Sequence, residues 1–170
     1  RYAEAFSFLQ SKSLYTVDDL DNALHAMQDK IDTLKNSASA KQAHIKEVNE
    51  LLRMVDYYKS GKPAADKLKS IRFEKSRRKY KAEHDEELRT FYMAERKLKP
   101  YFKDGKLPIT AWRREHEQLE QEYRDIQTEL SPLHADAKKL WAIHYNIYEV
   151  QHEQERQNTA TRQKKQEIEH

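Results

Sequence analysis

Hydrophobic residues recur with a heptad spacing along two long segments of the chain. In the first segment, from Val17 to Lys59, eleven of the thirteen positions on the repeating apolar stripe are hydrophobic. A repeat of 3.5 residues that is sustained without Gly or Pro is typical of a helix in a coiled coil. We therefore predict a first coiled-coil helix at residues 17–60, which ends where Gly61 and Pro63 follow, because these residue types terminate helices.

The second segment begins after a stretch that contains Gly and Pro. Its stripe is more polar than the first, with His116 and His144 at core positions, and Pro132 inside it is expected to kink the helix. We predict a second coiled-coil helix at residues 110–152. Residues 153–170 have a single large aliphatic side chain to bury, so they are predicted to form a polar, frayed tail.

The two predicted helices are nearly equal in length, so they can pair along their apolar stripes. Folding them as an antiparallel hairpin within one chain sets Lys59 beside Thr110. A parallel homodimer of the chain is the alternative arrangement. The expected seam consists of large aliphatic residues from both helices. These residues are Leu24, Ile31, Leu34, Ile45, Val48, Leu52, Leu119, Ile126, Leu130, Leu140 and Ile147.

A short amphipathic helix is predicted at residues 1–16, packed on the coiled coil. Thr16 is placed to cap the start of the following helix, with an acidic residue three positions later to favour the positive helix end. On the second long helix, Trp141, Tyr145 and Tyr148 form a stripe beside the main seam. We expect the N-terminal helix to cover that stripe.

The segment between the long helices, residues 61–109, carries enough Phe, Tyr and Leu for a small core, and we predict a helical knob at the tip of the hairpin. The fold class is therefore all-α, a long antiparallel coiled-coil hairpin with a short N-terminal helix and this knob. Two Gly residues exclude Gly-rich nucleotide-binding loops, and the absence of Cys excludes disulfides. A mean hydropathy of −1.12 and the lack of a long apolar run predict no membrane insertion.

The net charge of +3 is distributed unevenly along the sequence. Residues 59–81 hold ten basic and two acidic residues, a net charge of +8, whereas residues 115–130 hold six acidic and one basic residue. A basic cluster interleaved with Phe73 and Tyr80 is suited to contact nucleic-acid phosphates. The alternative is a solvated helix face whose charges meet the acidic helices of the same chain. The candidate nucleic-acid-binding residues are Lys69, Arg72, Lys75, Arg77, Arg78, Lys79 and Lys81.

The sequence contains no recognisable set of catalytic residues. A Glu-x-x-His pattern occurs at Glu149/His152 and at Glu167/His170, but a di-metal bundle needs that pattern on two facing helices. No Ser or Tyr residue stands beside a partner set for nucleophilic catalysis. We therefore predict no catalytic residue, no metal site and no cofactor.

The middle of the chain resembles the C-terminal helical region of bacterial relaxases, the mobilisation nucleases of conjugative plasmids and integrative elements. The resemblance covers about residues 45–150. It rests on Val55-Asp56-Tyr57-Tyr58-Lys59, on Phe73 to His84, on Glu86-Glu87-Leu88 through Tyr92-Met93-Ala94, on Lys106-Leu107-Pro108 with Trp112, and on Glu122-Tyr123.

In that family an N-terminal domain nicks one DNA strand with a Tyr nucleophile and a metal held by a His-hydrophobe-His motif. No such motif is present here, so the resemblance implies a non-catalytic accessory region, located in the bacterial cytoplasm. Its implied partners are DNA, conjugation or mobilisation proteins, and a second copy in a homodimer. Because the sequence begins at Arg1 without a leader, we expect it to be part of a longer protein. The alternative is a structural or dimerising coiled coil that binds no nucleic acid.

Overall fold

The computed structural model describes residues 2–169, and this part of the chain is helical without β-strands, which confirms the predicted all-α fold. Five α-helices follow one another along it, with a short 3₁₀ turn at Lys99–Tyr101 before the last one. The helices are α1 (Tyr2–Ser11), α2 (Val17–Ser70), α3 (Glu74–Glu83), α4 (Asp85–Leu98) and α5 (Ile109–Ile168).

The chain divides into two compact units. The first contains the described residues up to Ser37 and those from Ile126 onward, and the second contains residues 38–125. In the first unit the α2 and α5 segments run antiparallel. Asp21 pairs with His144 (2.8 Å) and Lys30 with Glu129 (3.4 Å), so the paired residue numbers rise along α2 and fall along α5.

The second unit has the same antiparallel arrangement of α2 and α5. Lys41 forms an ion pair with Glu122, and the His44 ring nitrogen lies 2.8 Å from a carboxylate oxygen of Glu115. Antiparallel pairing of two long helices within one chain is therefore present in each unit, as the hairpin prediction requires.

The core of the first unit is formed by two apolar clusters along α2 and α5. Leu20 and Leu24 pack with Leu140, and Ile31 packs with Leu130. All of these side chains are buried. The predicted seam residues that fall in this unit lie within these clusters or pack against them: Leu24, Ile31, Leu34, Ile126, Leu130, Leu140 and Ile147.

The core of the second unit is shared among α2, α4 and α5. Met54 and Val55 of α2 pack with Leu98 of α4 and with Leu119 of α5. A neighbouring cluster joins α2 to α4 alone. The predicted seam residues of this unit lie within the first of these clusters or pack against it: Ile45, Val48, Leu52 and Leu119.

A reciprocal capping box starts α2, as the position of Thr16 predicts. The Asp19 backbone N–H donates to the Thr16 hydroxyl (3.0 Å), and the Asp19 carboxylate accepts from the backbone N–H groups of Tyr15 and Thr16. These hydrogen bonds, that from Tyr15 first, hold the pKa of Asp19 below its usual value. The helix start is therefore fixed by local hydrogen bonding.

The predicted end of the first long helix was wrong, because α2 continues through Gly61 and Pro63 to Ser70. Pro63 is exposed, and the next two residues, Ala64 and Ala65, are buried and pack against α4. Tertiary packing therefore overrides the local helix-breaking preference.

The register of the hairpin also differs from the prediction. Setting Lys59 beside Thr110 places residue 128 opposite Lys41, whereas Lys41 pairs with Glu122. The difference of six residues is roughly two helical turns. It arises because α4 packs along the last part of α2, so α5 begins its pairing further back along that helix.

The N-terminal helix covers a different face of α5 from the one predicted. Phe8 and Leu9 of α1 pack against the Leu20, Leu24 and Leu140 cluster. Tyr2 and Phe6 on the same helix are 88% and 64% exposed, and the aromatic stripe at Trp141, Tyr145 and Tyr148 is exposed as well.

The predicted tail is helical over most of its described residues. Helix α5 runs through Pro132 and continues to Ile168. Every described residue from Tyr148 to Glu169 is exposed, in agreement with the prediction that this segment has nothing to bury.

The close crossing of α2 and α4 yields the first testable prediction. Gly61 is buried, and a Cβ atom added there would lie 2.5 Å from Cβ of Phe91 and 3.3 Å from the carbonyl oxygen of Glu87. In an open helix, Gly→Ala stabilises by about 1 kcal/mol. We expect Gly61→Ala instead to lower the free energy of unfolding in urea, because α4 must move away. Ser60→Ala, at an exposed neighbouring position, should not destabilise, and a stabilised Gly61→Ala variant would contradict the crossing.

Candidate nucleic-acid interface

The seven candidate nucleic-acid-binding residues lie on one short stretch that starts in the last turn of α2 and continues through α3. All seven side chains are exposed. We call this set the basic surface: Lys69, Arg72, Lys75, Arg77, Arg78, Lys79 and Lys81. The structure thus places the predicted residues on α3, on the connection before it and on the last turn of α2.

Helix α3 is held to the rest of its unit by its C-terminal end. Tyr80 packs against the cluster that contains Leu68 and Phe91, and its ring stacks on His84 with 4.1 Å between the ring centroids. The Lys67 ammonium lies 5.3 Å from the Tyr80 ring centroid, within the range of a cation–π contact. No residue of α3 itself is fully buried, so most of this helix is open to solvent.

Few of the basic charges are neutralised within the chain. Arg78 pairs with Glu74 (3.4 Å) and Lys79 with Glu83 (4.0 Å), both one turn away along the same exposed helix. Such pairs contribute little to stability and are easily exchanged for other anions. Over residues 2–169, the remaining five members of the basic surface have no acidic partner within ion-pair distance. These five are Lys69, Arg72, Lys75, Arg77 and Lys81.

Several acidic residues of the same unit are paired with other bases. Lys41 donates a hydrogen bond to Glu122 and thereby lowers the pKa of that carboxyl below its usual value, with Gln118 as a second donor. The hydrogen bond from Lys97 lowers the pKa of Glu50 in the same way, and Arg53 adds to the effect. Within the described residues of this unit, no ion pair joins the basic surface to α5 or to α2 before residue 59. Intramolecular neutralisation by the acidic helices is therefore not how these charges are satisfied.

The two aromatic residues predicted to accompany the basic cluster are in different environments. Tyr80 is half-buried and contributes to packing, as described above. Phe73 precedes the first residue of α3 and is 78% exposed. Only Phe73 presents an open ring beside the basic side chains.

A second group of exposed bases begins in the last turn of α4 and lies outside residues 59–81, the segment whose charge predicted the basic surface. Its members are Arg96, Lys97, Lys99, Lys103 and Lys106. Lys97 is paired with Glu50 at 3.2 Å. A charge count over residues 96–106 finds the group, with one acidic residue, Asp104, among them.

An open groove of about 390 Å³ lies between α2 and α4 in the same unit. Tyr57 and Gly61 form part of one wall, and Glu83, Glu86 and Glu87 supply carboxylates to the lining. Carboxylates repel phosphate groups, so this groove is unsuited to the ligand for which the basic surface is suited.

Several of the described histidines lie beside a single acidic or aromatic partner. His116 and His144 lie beside Glu120 (3.6 Å) and Asp21 (2.8 Å), and Nε2 of His152 lies 2.6 Å from the Tyr148 hydroxyl. In the part of the chain that the structure describes, no three His, Asp or Glu side chains are placed to hold a metal ion. The second Glu-x-x-His pattern ends at His170, which lies outside the described residues.

Comparison with models of known protein families, with curated proteins and with solved structures found no match. Among the described residues, no helix has the length and apolar character needed to cross a membrane.

The lowered pKa of Glu122 leads to a prediction about pH. A carboxyl whose pKa is lower in the folded state stabilises that state above its unfolded pKa, and this contribution is lost as the pH falls through the folded pKa. We expect Glu122→Gln to be less stable than the parent chain at neutral pH, by a small amount because the pair is solvated. The difference should shrink as the pH falls through the lowered pKa of Glu122 in the folded state, because protonated Glu and Gln are both uncharged.

Urea unfolding monitored by circular dichroism at several pH values measures this difference. Glu117→Gln is the matched control, since Glu117 is an exposed carboxylate on the same helix with no ion-pair partner in residues 2–169. If Glu122→Gln and Glu117→Gln change the free energy of unfolding equally at neutral pH, the Lys41 contact is not formed.

Proposed function

We propose that this chain is a non-catalytic helical region that binds DNA through the phosphate backbone, as an accessory part of a relaxase-like protein in conjugative DNA mobilisation. The observation that carries the proposal is the basic surface, which is exposed and largely without acidic partners. The link to relaxases rests on the resemblance of residues 45–150 to the helical region of that family.

The charge density of the basic surface fits a nucleic-acid backbone. Helix α3 has ten residues and is therefore about 15 Å long. Over a similar distance, double-stranded DNA carries roughly nine phosphate charges. Because Lys and Arg side chains are long and exposed here, several of them can reach phosphates at the same time. Such binding releases counterions and weakens steeply as salt is added.

Backbone contacts of this kind position a protein on DNA without reading its sequence. We infer that the region adds affinity for DNA around a site that another part of the protein recognises. Docking to mobilisation proteins is compatible with the same exposed helices.

Charge reversal tests the DNA-binding part of the proposal. We expect the triple variant Arg77→Glu, Arg78→Glu and Lys79→Glu to lose at least about 100-fold in affinity for a labelled duplex at low salt, because it removes several phosphate contacts and adds repulsion. Fluorescence anisotropy over a series of salt concentrations gives both the affinity and the number of counterions released.

A matched control is available on the exposed end of α5. The variant Arg162→Glu, Lys164→Glu and Lys165→Glu makes the same change in net charge at exposed positions. It should keep most of the parent affinity and the parent salt dependence. Equal losses in the two triple variants would indicate a non-specific charge effect, and no DNA affinity in the parent chain would favour the coiled-coil interaction module without nucleic-acid binding.

The relaxase part of the proposal has a separate test. If it holds, the complete gene encodes a nuclease domain before this region, with a Tyr residue and a His-hydrophobe-His motif. Its absence from the complete gene would contradict the relaxase assignment and leave the DNA-binding measurement unaffected.

A further inference from the structure

The exposed aromatic stripe on α5 is a surface that the DNA-binding proposal does not use. Trp141, Tyr145 and Tyr148 are 48%, 61% and 52% exposed. They are followed by His152, whose ring makes an edge contact with Tyr148 at 4.6 Å between centroids. Three large aromatic side chains in a row on one helix are uncommon on a surface that faces only water.

Neither α1 nor α2 covers this stripe. Helix α2 packs on the α5 residues Ala137, Leu140 and Ile147. The stripe residues Trp141 and Tyr148 directly follow Leu140 and Ile147 in the sequence. The stripe is therefore rotated by roughly 100° around α5 from the face that packs on α2. Helix α1 occupies the opposite flank, where Lys139 lies 5.1 Å from the Phe8 ring centroid and Lys12, the residue after α1, pairs with Asp136.

The stripe has the spacing of a second coiled-coil seam. Its positions alternate by three and four residues, which is the pattern of core positions in a heptad repeat. In order along the helix they are Lys138, Trp141, Tyr145, Tyr148, His152 and Glu155. This series of six positions therefore begins with a basic residue, has aromatic rings in the centre and ends with an acidic residue.

This order is complementary to itself when it is reversed. If a second α5 is placed antiparallel, the central layers pair Tyr145 with Tyr148, and the outer layers pair Lys138 with Glu155. Lys138 and Glu155 are both exposed, and neither has an ion-pair partner among residues 2–169. A parallel arrangement instead sets Lys138 against Lys138 and Glu155 against Glu155. Charge complementarity thus favours a second copy of this chain in the antiparallel orientation.

The area of the stripe is compatible with a weak dimer. Three half-exposed aromatic side chains offer about 300 Å² on each copy. A standard stable interface buries about 800 Å² on each side. The stripe alone is smaller than that, but the helix continues beyond it with every described residue exposed up to Glu169. We propose that two copies of the chain associate through an antiparallel α5–α5 contact centred on Tyr145 and Tyr148.

Sedimentation equilibrium of the parent chain and its variants tests the proposal. We expect a dimer that dissociates in the micromolar range, and Tyr145→Asp should weaken it by at least about 30-fold, as for a central aromatic residue of an interface. Tyr2→Asp is the matched control, since Tyr2 is an exposed aromatic residue on α1 of the same unit. Circular dichroism of each variant verifies folding. A monomeric parent chain, or a dimer unaffected by Tyr145→Asp, overturns the proposal.

Orientation is tested by a charge swap and by cross-linking. Lys138→Glu should weaken the dimer because it faces Glu155 of the partner copy, and adding Glu155→Lys should restore it. The chain has no Cys, so a disulfide between introduced thiols identifies which residues of the two copies face each other. A mixture of Lys138→Cys and Glu155→Cys chains should form a disulfide between unlike chains, and neither variant alone should cross-link. Cross-linking of Lys138→Cys with itself shows a parallel dimer and overturns the proposal.

Discussion

The close crossing of α2 and α4 at Gly61 is the constraint on which the second unit depends. The absence of a side chain at Gly61 lets the backbones of the two helices approach, with Phe91 directly against the glycine. The contact between them continues through Ala64, Ala65 and Leu88, so small residues on one helix match large ones on the other. This packing keeps α2 helical past Pro63 and thereby carries the chain to the start of the basic surface.

The same packing explains which features could be predicted from the sequence. Heptad spacing identified the seam between α2 and α5 because the repeat within each helix shows which positions are apolar, without information about the partner helix. The cap at Thr16 and Asp19 was predictable for the same reason, since it is closed within four residues. The end of α2 was not, because Gly61 and Pro63 are locally unfavourable in a helix and only contact with α4 compensates. Register and the placement of α1 likewise depend on contacts between distant segments, which a periodic pattern does not encode.

The basic residues differ in the partners available to them as well as in their position along the chain. Cross-helix pairs such as Lys41 with Glu122 use the acidic residues where α2 and α5 lie side by side. The bases of α3 are left with neighbours on their own helix or with solvent. The sequence predicted where the basic residues cluster, but their pairing depends on which helices meet. The proposed contact with phosphates would give these bases the counter-charge that the described chain does not supply.

The attachment of α3 at its C-terminal end, with Tyr80 packed on the core, has a consequence for local stability. A ten-residue helix is below the length at which isolated helices are stable in water, and α3 has no fully buried residue to compensate. Its successive Lys and Arg residues also repel one another along the helix. The backbone amides of α3 should therefore open and exchange their hydrogens sooner than those of α4, and a bound polyanion that screens this repulsion would shift the equilibrium towards the ordered helix.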